Sequence, residues 1–302
     1  MIKHLKHDSI DKASWDALLL RCPNRLWYAQ SWVLDLCCPA WEALIGEDGS
    51  IMPLIWRRKF GLHYLYQPYA VQQQGVFSPN RVEGTDDAFL AAIPERFRYF
   101  DLHLNAAMHV RAGRDERLST SDTQDLLLDK DASTLRAAYS QGHRRNLRKA
   151  GDDPPVVHND ITVQEFIALS ERTTGKRFRN IPEGGMLLLE RMLSGALERG
   201  QCHLLGVREG DKLVAAACFM VWEGRSILLK SANDEVGVKR QAMFHIVDRY
   251  ISEHAGSGLL LDFAGSNTAS VARFNEGFGA RRSVYLRLVR NRLPAPLKWL
   301  KR

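Results

Sequence analysis

No stretch of this chain approaches 18 consecutive apolar residues, so nothing in it reads as a membrane-spanning helix. Its first residues, MIKHLKHDSIDK, lack the apolar core of a secretory signal, and a cytoplasmic location is the expectation. Cysteine is scarce. Cys22, Cys37, Cys38, Cys202 and Cys218 are odd in number, show no metal-ligand spacing and sit mostly in apolar stretches, which reads as reduced core thiols. HExxH and CxxC patterns are absent, and none of the ten histidines pairs in sequence with a serine or cysteine nucleophile, so hydrolase and metal chemistry have little support.

Acid is also missing from one place. After Glu276 there is no Asp or Glu, while Arg281, Arg282, Arg287, Arg290, Arg292, Lys298, Lys301 and Arg302 follow. The net charge of +7 is therefore local to the C-terminus, and the rest of the chain is close to neutral. Two meanings stay open: a solvated edge strand and tail whose cations discourage edge-to-edge pairing, or a contact with a phosphate-rich ligand or an acidic membrane surface. DNA is not an expected partner.

What is present, 302 residues with 45% hydrophobic content, suffices for two ordinary cores. From Cys202 onward, CHLLGVRE, LVAAACFMVW and RSILLKSA are joined by Gly-containing turns and predict a three-stranded antiparallel meander. A helix over residues 238–254, a strand over 258–264, a helix over 268–277 and a strand over 283–289 follow. Two helices precede the meander. The first opens on a Thr162/Glu165 capping box, and the second stops at Gly200. Upstream, WEALIG, IMPLIWRR and HYLYQP predict another meander, with a weak helix near 86–93 and a strand at 99–105. Residues 41–105 and 202–264 thus share element order and nearly share length, which predicts a tandem duplication. Between them, DASTLRAAYSQGHRRNLRKAG reads as an amphipathic helix whose basic last turns suit a helix C-terminus or a phosphate.

The strand that runs into a small-residue turn, a short helix and a Phe-Gly stop, LLLDFAGSNTASVARFNEGFGA (residues 259–280), resembles the end of the catalytic domain in Fem-type proteins of the GNAT N-acyltransferase superfamily. The Tyr139 region, with its Arg-Asn-x-Arg-Lys-Ala run, is similar to the opening of the second domain in the same family. The resemblance implies an α/β fold of the mixed-sheet, α+β kind: two tandem GNAT-like domains, each a mostly antiparallel sheet flanked by helices. We place the first over residues 1–128 and the second, catalytic half over 129–302. It further implies transfer of an acyl or aminoacyl group to an amine on a small molecule or peptide, in the cleft between the domains. The donor would be an aminoacyl-tRNA or an acyl-CoA.

Coenzyme A is the weaker of the two donors. A GNAT pyrophosphate loop needs bare backbone N–H groups at a helix start, and Asp234-Glu-Val-Gly237-Val-Lys239 keeps only Gly237 of that pattern. Gly237, Lys239, Arg273, Ser266 and Asn267 are the candidate donor-binding residues. Many acetyltransferases place a tyrosine acid where this chain has Phe274, so another group must protonate the leaving atom, with Tyr285 and Lys230 available. Lys230 interrupts the apolar strand ILLKSA, and Asp262 interrupts LLLDF. Either they pair or face a ligand, or Asp262 simply bonds the N–H groups of the turn that follows. Tyr69, Gln72, Gln73 and Gln74, in the loop after HYLYQP, together with Arg145 and Arg148, are the candidate acceptor-binding residues. The rival from another class is a non-catalytic GNAT-fold binding module for RNA or an acidic membrane surface.

Overall fold

A computed structural model describes residues 1–149, 151, 153–177, 181–265, 268–294 and 298. These form two compact units, Met1–Ser121 with Val284–Arg302, and Asp122–Ser283.

The first unit opens with β1 (Ile2–Leu5), α1 (Lys12–Leu20), α2 (Ser31–Cys37), β2 (Glu42–Gly46), β3 (Ile51–Leu54), β4 (Trp56–Lys59), β5 (Leu62–Leu65), α3 (Thr85–Ala91) and β6 (Phe97–His103). Asp11 starts α1 by accepting from the N–H groups of Ala13 and Ser14. Trp15 and Trp41 meet edge to face with ring centroids 4.9 Å apart in a core sealed by fully buried aromatics.

The chain enters the second unit along β7 (Glu116–Leu128) and continues through α4 (Ala132–Ala137), α5 (Gln141–Arg148), β8 (Val157–His158), α6 (Val163–Arg177), α7 (Gly185–Glu198), β9 (Cys202–Glu209), β10 (Lys212–Trp222) and β11 (Arg225–Asn233). Then come α8 (Glu235–Lys239), α9 (Ala242–Glu253), β12 (Leu259–Asp262), α10 (Ala269–Glu276) and β13 (Arg281–Asn291). The division thus falls earlier than residue 128, inside β7, and the described residues from Val284 onward belong with the first unit. Long strands that continue from one unit to the other carry no composition break, so this division is invisible to a reading of linkers.

Tandem duplication shows in the pairing. In the second unit β8, β9, β10 and β11 pair antiparallel in order, and β11 then pairs parallel with β12. In the first unit β1, β2 and β3 pair antiparallel, β4 pairs antiparallel with β5, and β5 pairs parallel with β6. Two helices precede each meander and a helical segment precedes each parallel strand, α3 alone in the first unit and α8 with α9 in the second, so the order of strands matches. The difference is at Ile55. There the expected strand IMPLIWRR breaks into β3, in a three-stranded sheet, and β4, the edge strand of a sheet that runs from it through β5, β6 and β13 to β7. Its counterpart β10 stays whole and takes up the strain as register shifts.

The expected single helix over 131–151 is two, α4 and α5, separated at Ser140, whose hydroxyl accepts from His143 N–H at 3.2 Å and begins α5. The capping box is as expected: Thr162 N–H donates to Glu165 at 2.9 Å and Glu165 N–H to the Thr162 hydroxyl at 3.2 Å. Helix α9 lies against β8, β9 and β10, and α6 against β10 and β11. Within that core Phe219 stacks on Tyr250 at 3.7 Å, and the Tyr250 hydroxyl shares a hydrogen bond with Ser226 at 2.7 Å. Phe219→Ala should therefore cost about 3–5 kcal/mol, read as a lower urea midpoint at unchanged m-value.

Candidate functional site

Strands β11 and β12 pair over only three residues each among the described residues. Their parallel register runs Arg225↔Leu260, Ser226↔Leu261 and Ile227↔Asp262 and goes no further. A bulge follows at once: on the β10 side Phe219 faces Leu228 and Cys218 faces Lys230, which leaves Leu229 as the extra residue. From Leu228 to Asn233 the described ladder of β11 is therefore on the β10 side alone. Lys230 sits on this stretch, half-buried, and desolvation lowers the pKa of its ammonium. Its backbone carbonyl accepts from the Cys218 thiol at 3.3 Å.

Asp262 closes the paired stretch and is only 1% exposed. One carboxylate oxygen accepts from the Thr123 hydroxyl at 2.7 Å and from Ala264 N–H at 2.9 Å, and the other meets Arg225 at 2.9 Å. Its partners come from three elements. The bond to Ala264 fits the turn role expected for it, moved one residue earlier, and its described cation is Arg225.

Opposite Asp262 in the antiparallel register stands Asp125 on β7. Burial pushes the Asp125 carboxyl up to about 6, with the Asp262 charge adding to it and Arg225 and a hydrogen bond from Ser283 working against it. The Asp125 Oδ1 atom is buried without a hydrogen-bond partner among the described residues. Asp125, Thr123 and Arg225 were not singled out in the sequence. The signal available was the alternation in STSDTQDLLLD, which puts Thr123 and Asp125 on one face of a strand, but only the pairing with β12 sets them beside Asp262.

At the expected pyrophosphate loop the structure gives another reason for each residue. The Asp234 carboxylate accepts from the N–H groups of Val236 and Gly237, both at 3.0 Å. Its other oxygen faces Lys212 at 3.3 Å and Arg172 at 3.5 Å. Burial works against its ionisation, but the Gly237 N–H and Lys212 outweigh it and hold the pKa below the usual range. The donors a phosphate would need are already used by a side chain. Gly237 is small for a packing reason, since a Cβ there would meet Asn233 and stand 2.6 Å from the Val214 carbonyl oxygen. Lys239 is exposed at the end of the five-residue helix α8.

Arg273 is exposed on α10, while Phe274 beside it packs half-buried against Phe244 at 5.0 Å and Phe278 at 5.2 Å. The Phe274 carbonyl is 2.8 Å from His143 Nε2. Arg145 and Arg148 lie on the exposed side of α5 and, with Lys239 and Arg273, make no ion pair among the described residues. Ser266 and Asn267 lie outside the described residues. Tyr285 is in the first unit, buried, with its ring 5.7 Å from that of His103.

The first-unit amides also have structural work. Gln73 is buried and accepts from Ala106 N–H at 2.8 Å, and its amide donates to Gln72 at 3.2 Å. Gln74 is buried and donates to Gln67 at 2.8 Å and to the Tyr66 carbonyl at 3.2 Å. These side chains hold their own loop together, whereas Tyr69 is half-buried. All five cysteines are free and buried, and burial raises the Cys218 thiol to about 12. No group of metal-ligating side chains occurs among the described residues.

Residues 137–268 match the model of an acetyltransferase (GNAT) domain. No curated protein matches the sequence. Among solved structures the fold is similar to that of FemX, at 14% identity, a TM-score of 0.65 and coverage of 98% of this chain and 99% of that one. It is similar to a tandem GNAT protein from the clavulanic acid biosynthesis pathway, at 13% identity, a TM-score of 0.54 and 97% and 99% coverage. It is similar also to L-PGS from Bacillus licheniformis, at 10% identity, a TM-score of 0.51 and 96% and 95% coverage. The Fem-type, tandem GNAT resemblance read from LLLDFAGSNTASVARFNEGFGA is borne out as fold.

Two outcomes follow. Because Asp125 titrates near 6 in the folded protein and near 4 when unfolded, its protonation stabilises fully below about pH 4, and that contribution is lost as pH rises through 6. Asp125→Asn should accordingly gain about 1–2 kcal/mol over the parent at pH 8 and almost nothing at pH 4, measured by denaturation at both pH values. Gly237→Ala should lower stability by about 2 kcal/mol at any phosphate concentration, where a phosphate-cradle role would make the loss depend on ligand.

Proposed function

We propose that the second unit transfers an acyl or aminoacyl group from an activated ester or thioester to an amine, where β11 and β12 part. One observation carries this reading. The open edge of β11, with Lys230 on it, begins at the residue pair that ends in Asp262, and Asp262 is backed by Asp125 and Arg225. Beyond Ile227 the backbone of β11, paired with β10 and without a described partner on the β12 side, offers N–H groups to a carbonyl oxygen that gains charge as the amine attacks. Asp125, with an unsatisfied oxygen and a carboxyl near 6, suits a base that accepts the ammonium proton. As the new C–N bond forms and the donor C–O or C–S bond breaks, Lys230 supplies a proton to the leaving atom. Asp262 keeps Arg225 and the Ala264 turn in place.

An aminoacyl ester suits the site better than coenzyme A, because Asp234 occupies the N–H groups that a pyrophosphate would take. The acceptor is an amine on a small molecule or peptide. A second reading, ligand binding without chemistry, draws support from the same Asp234 and from Phe274, whose ring is committed to an aromatic cluster.

Thermal-shift measurements with acyl-CoAs, aminoacyl-tRNA mimics and nucleotide-linked peptidoglycan precursors separate the two. Transfer predicts stabilisation by a donor class, lost in Lys230→Ala, and a product seen by mass spectrometry. Its rate should rise with pH through about 6, and Asp125→Asn should remove that rise and lower kcat by about a hundredfold. Stabilisation without product under every donor and acceptor pairing would leave the binding reading in its place.

A further inference from the structure

Phe60 is 89% exposed at the apex of the β4–β5 hairpin of the first unit. Its backbone is left-handed, φ 50°, a conformation in which phenylalanine is strained and glycine or asparagine is at ease. Packing does not explain the residue, and turn chemistry argues against it. Arg57, Arg58 and Lys59 precede it, all exposed, and Lys59 reaches over the Phe60 ring at 5.5 Å. Residues 49–82 contain no acid at all, and none of these three cations makes an ion pair among the described residues.

The stem of this hairpin is fixed while its tip is bare. Trp56 Nε1 donates to the Ala40 carbonyl at 2.7 Å, the Tyr66 hydroxyl donates to the Cys37 carbonyl at 2.8 Å, and Arg57 stacks 4.1 Å from the Tyr66 ring. Cations on an edge strand discourage pairing with another sheet, which accounts for Arg58 and Lys59 but not for an aromatic ring held at the tip. An exposed ring with Lys59 over it and Arg58 next in the strand, neither ion-paired among the described residues, meets the two needs of reversible attachment to an anionic bilayer, apolar insertion and attraction to headgroups.

We propose that the β4–β5 tip docks on an anionic lipid surface, with Phe60 entering the interface and Arg58 and Lys59 on the headgroups. Single-stranded RNA fits less well, since stacking platforms present several rings along a groove and this apex presents one. The C-terminal cations fit less well too. Arg282 is paired with Asp122, Arg287 with Asp101, Arg290 with Glu116, and Arg292 and Lys298 with Asp115. This inference is independent of the acyl-transfer reading.

The test is cosedimentation of the full chain with vesicles of equal parts phosphatidylcholine and phosphatidylglycerol, against phosphatidylcholine alone. Binding is expected to the mixed vesicles only and to fade with salt. Phe60→Gly relieves the backbone, so it should melt at or above the parent temperature while binding about tenfold less. Arg58→Ala with Lys59→Ala should lose about thirtyfold. Phe60→Trp should show a blue-shifted emission on the mixed vesicles alone. Undiminished binding by Phe60→Gly overturns the proposal, as does no binding by the parent at low salt. A Phe60-dependent affinity for a single-stranded RNA oligonucleotide in a chain that ignores vesicles would overturn it in favour of nucleic acid.

Discussion

A carboxylate that is 1% exposed must have every oxygen answered, and the answer given to Asp262 organises the second unit. Thr123 reaches it from β7, Arg225 from β11, and Ala264 N–H from the turn, so one charge pins three elements. The turn it fixes is where β12 ends, and beyond it β11 continues without a described neighbour on that side. A sheet that stops pairing costs backbone hydrogen bonds and gains an open strand edge, a feature a reactive carbonyl can use. Asp125 beside Asp262 belongs to the same constraint. Burial and the facing Asp262 charge resist ionisation of Asp125, with only the Arg225 that bonds Asp262 and a hydrogen bond from Ser283 working against them, and the proton stays on Asp125 to higher pH.

The two units apply one pairing scheme to different ends. Both place a parallel strand beside an antiparallel meander. In the second unit the strands of that meander are nearly continuous apolar runs, and the parallel pair ends in charged groups. In the first unit the corresponding strand breaks at Ile55, and the hairpin β4–β5 that results carries cations and an exposed ring. Loss of continuity let one hairpin leave the core, and its tip gained a surface composition the second unit has nowhere along β10 or β11.

Charge shows how far composition alone carries an argument. Eight cations after Glu276 look like a field, yet the described ones on and after β13 mostly face acids that stand far earlier in the chain, such as Asp101 and Glu116. Arg290 is nine-tenths buried between Glu116, the Leu90 carbonyl and the Phe100 ring. β13 lies between β6 and β7 in its sheet, so it is no edge strand, and the cations expected to guard an edge or to form an open field are instead spent on ion pairs, whereas Arg58 and Lys59 make no ion pair among the described residues.

By itself the sequence determined the element order, the second meander, the capping box and the two charges that interrupt apolar strands, because these rest on periodicity, turn chemistry and the cost of burying charge, all local properties. Lys230 and Asp262 were legible for that reason. Tertiary structure alone decided the rest. Asp125 and Thr123 became site residues through the register of β7 against β12, and Gln73 became a loop staple because its partner, the Ala106 N–H, stands 33 residues away. Register and long-range pairing are set by the global packing of strands, and no short window of residues contains them.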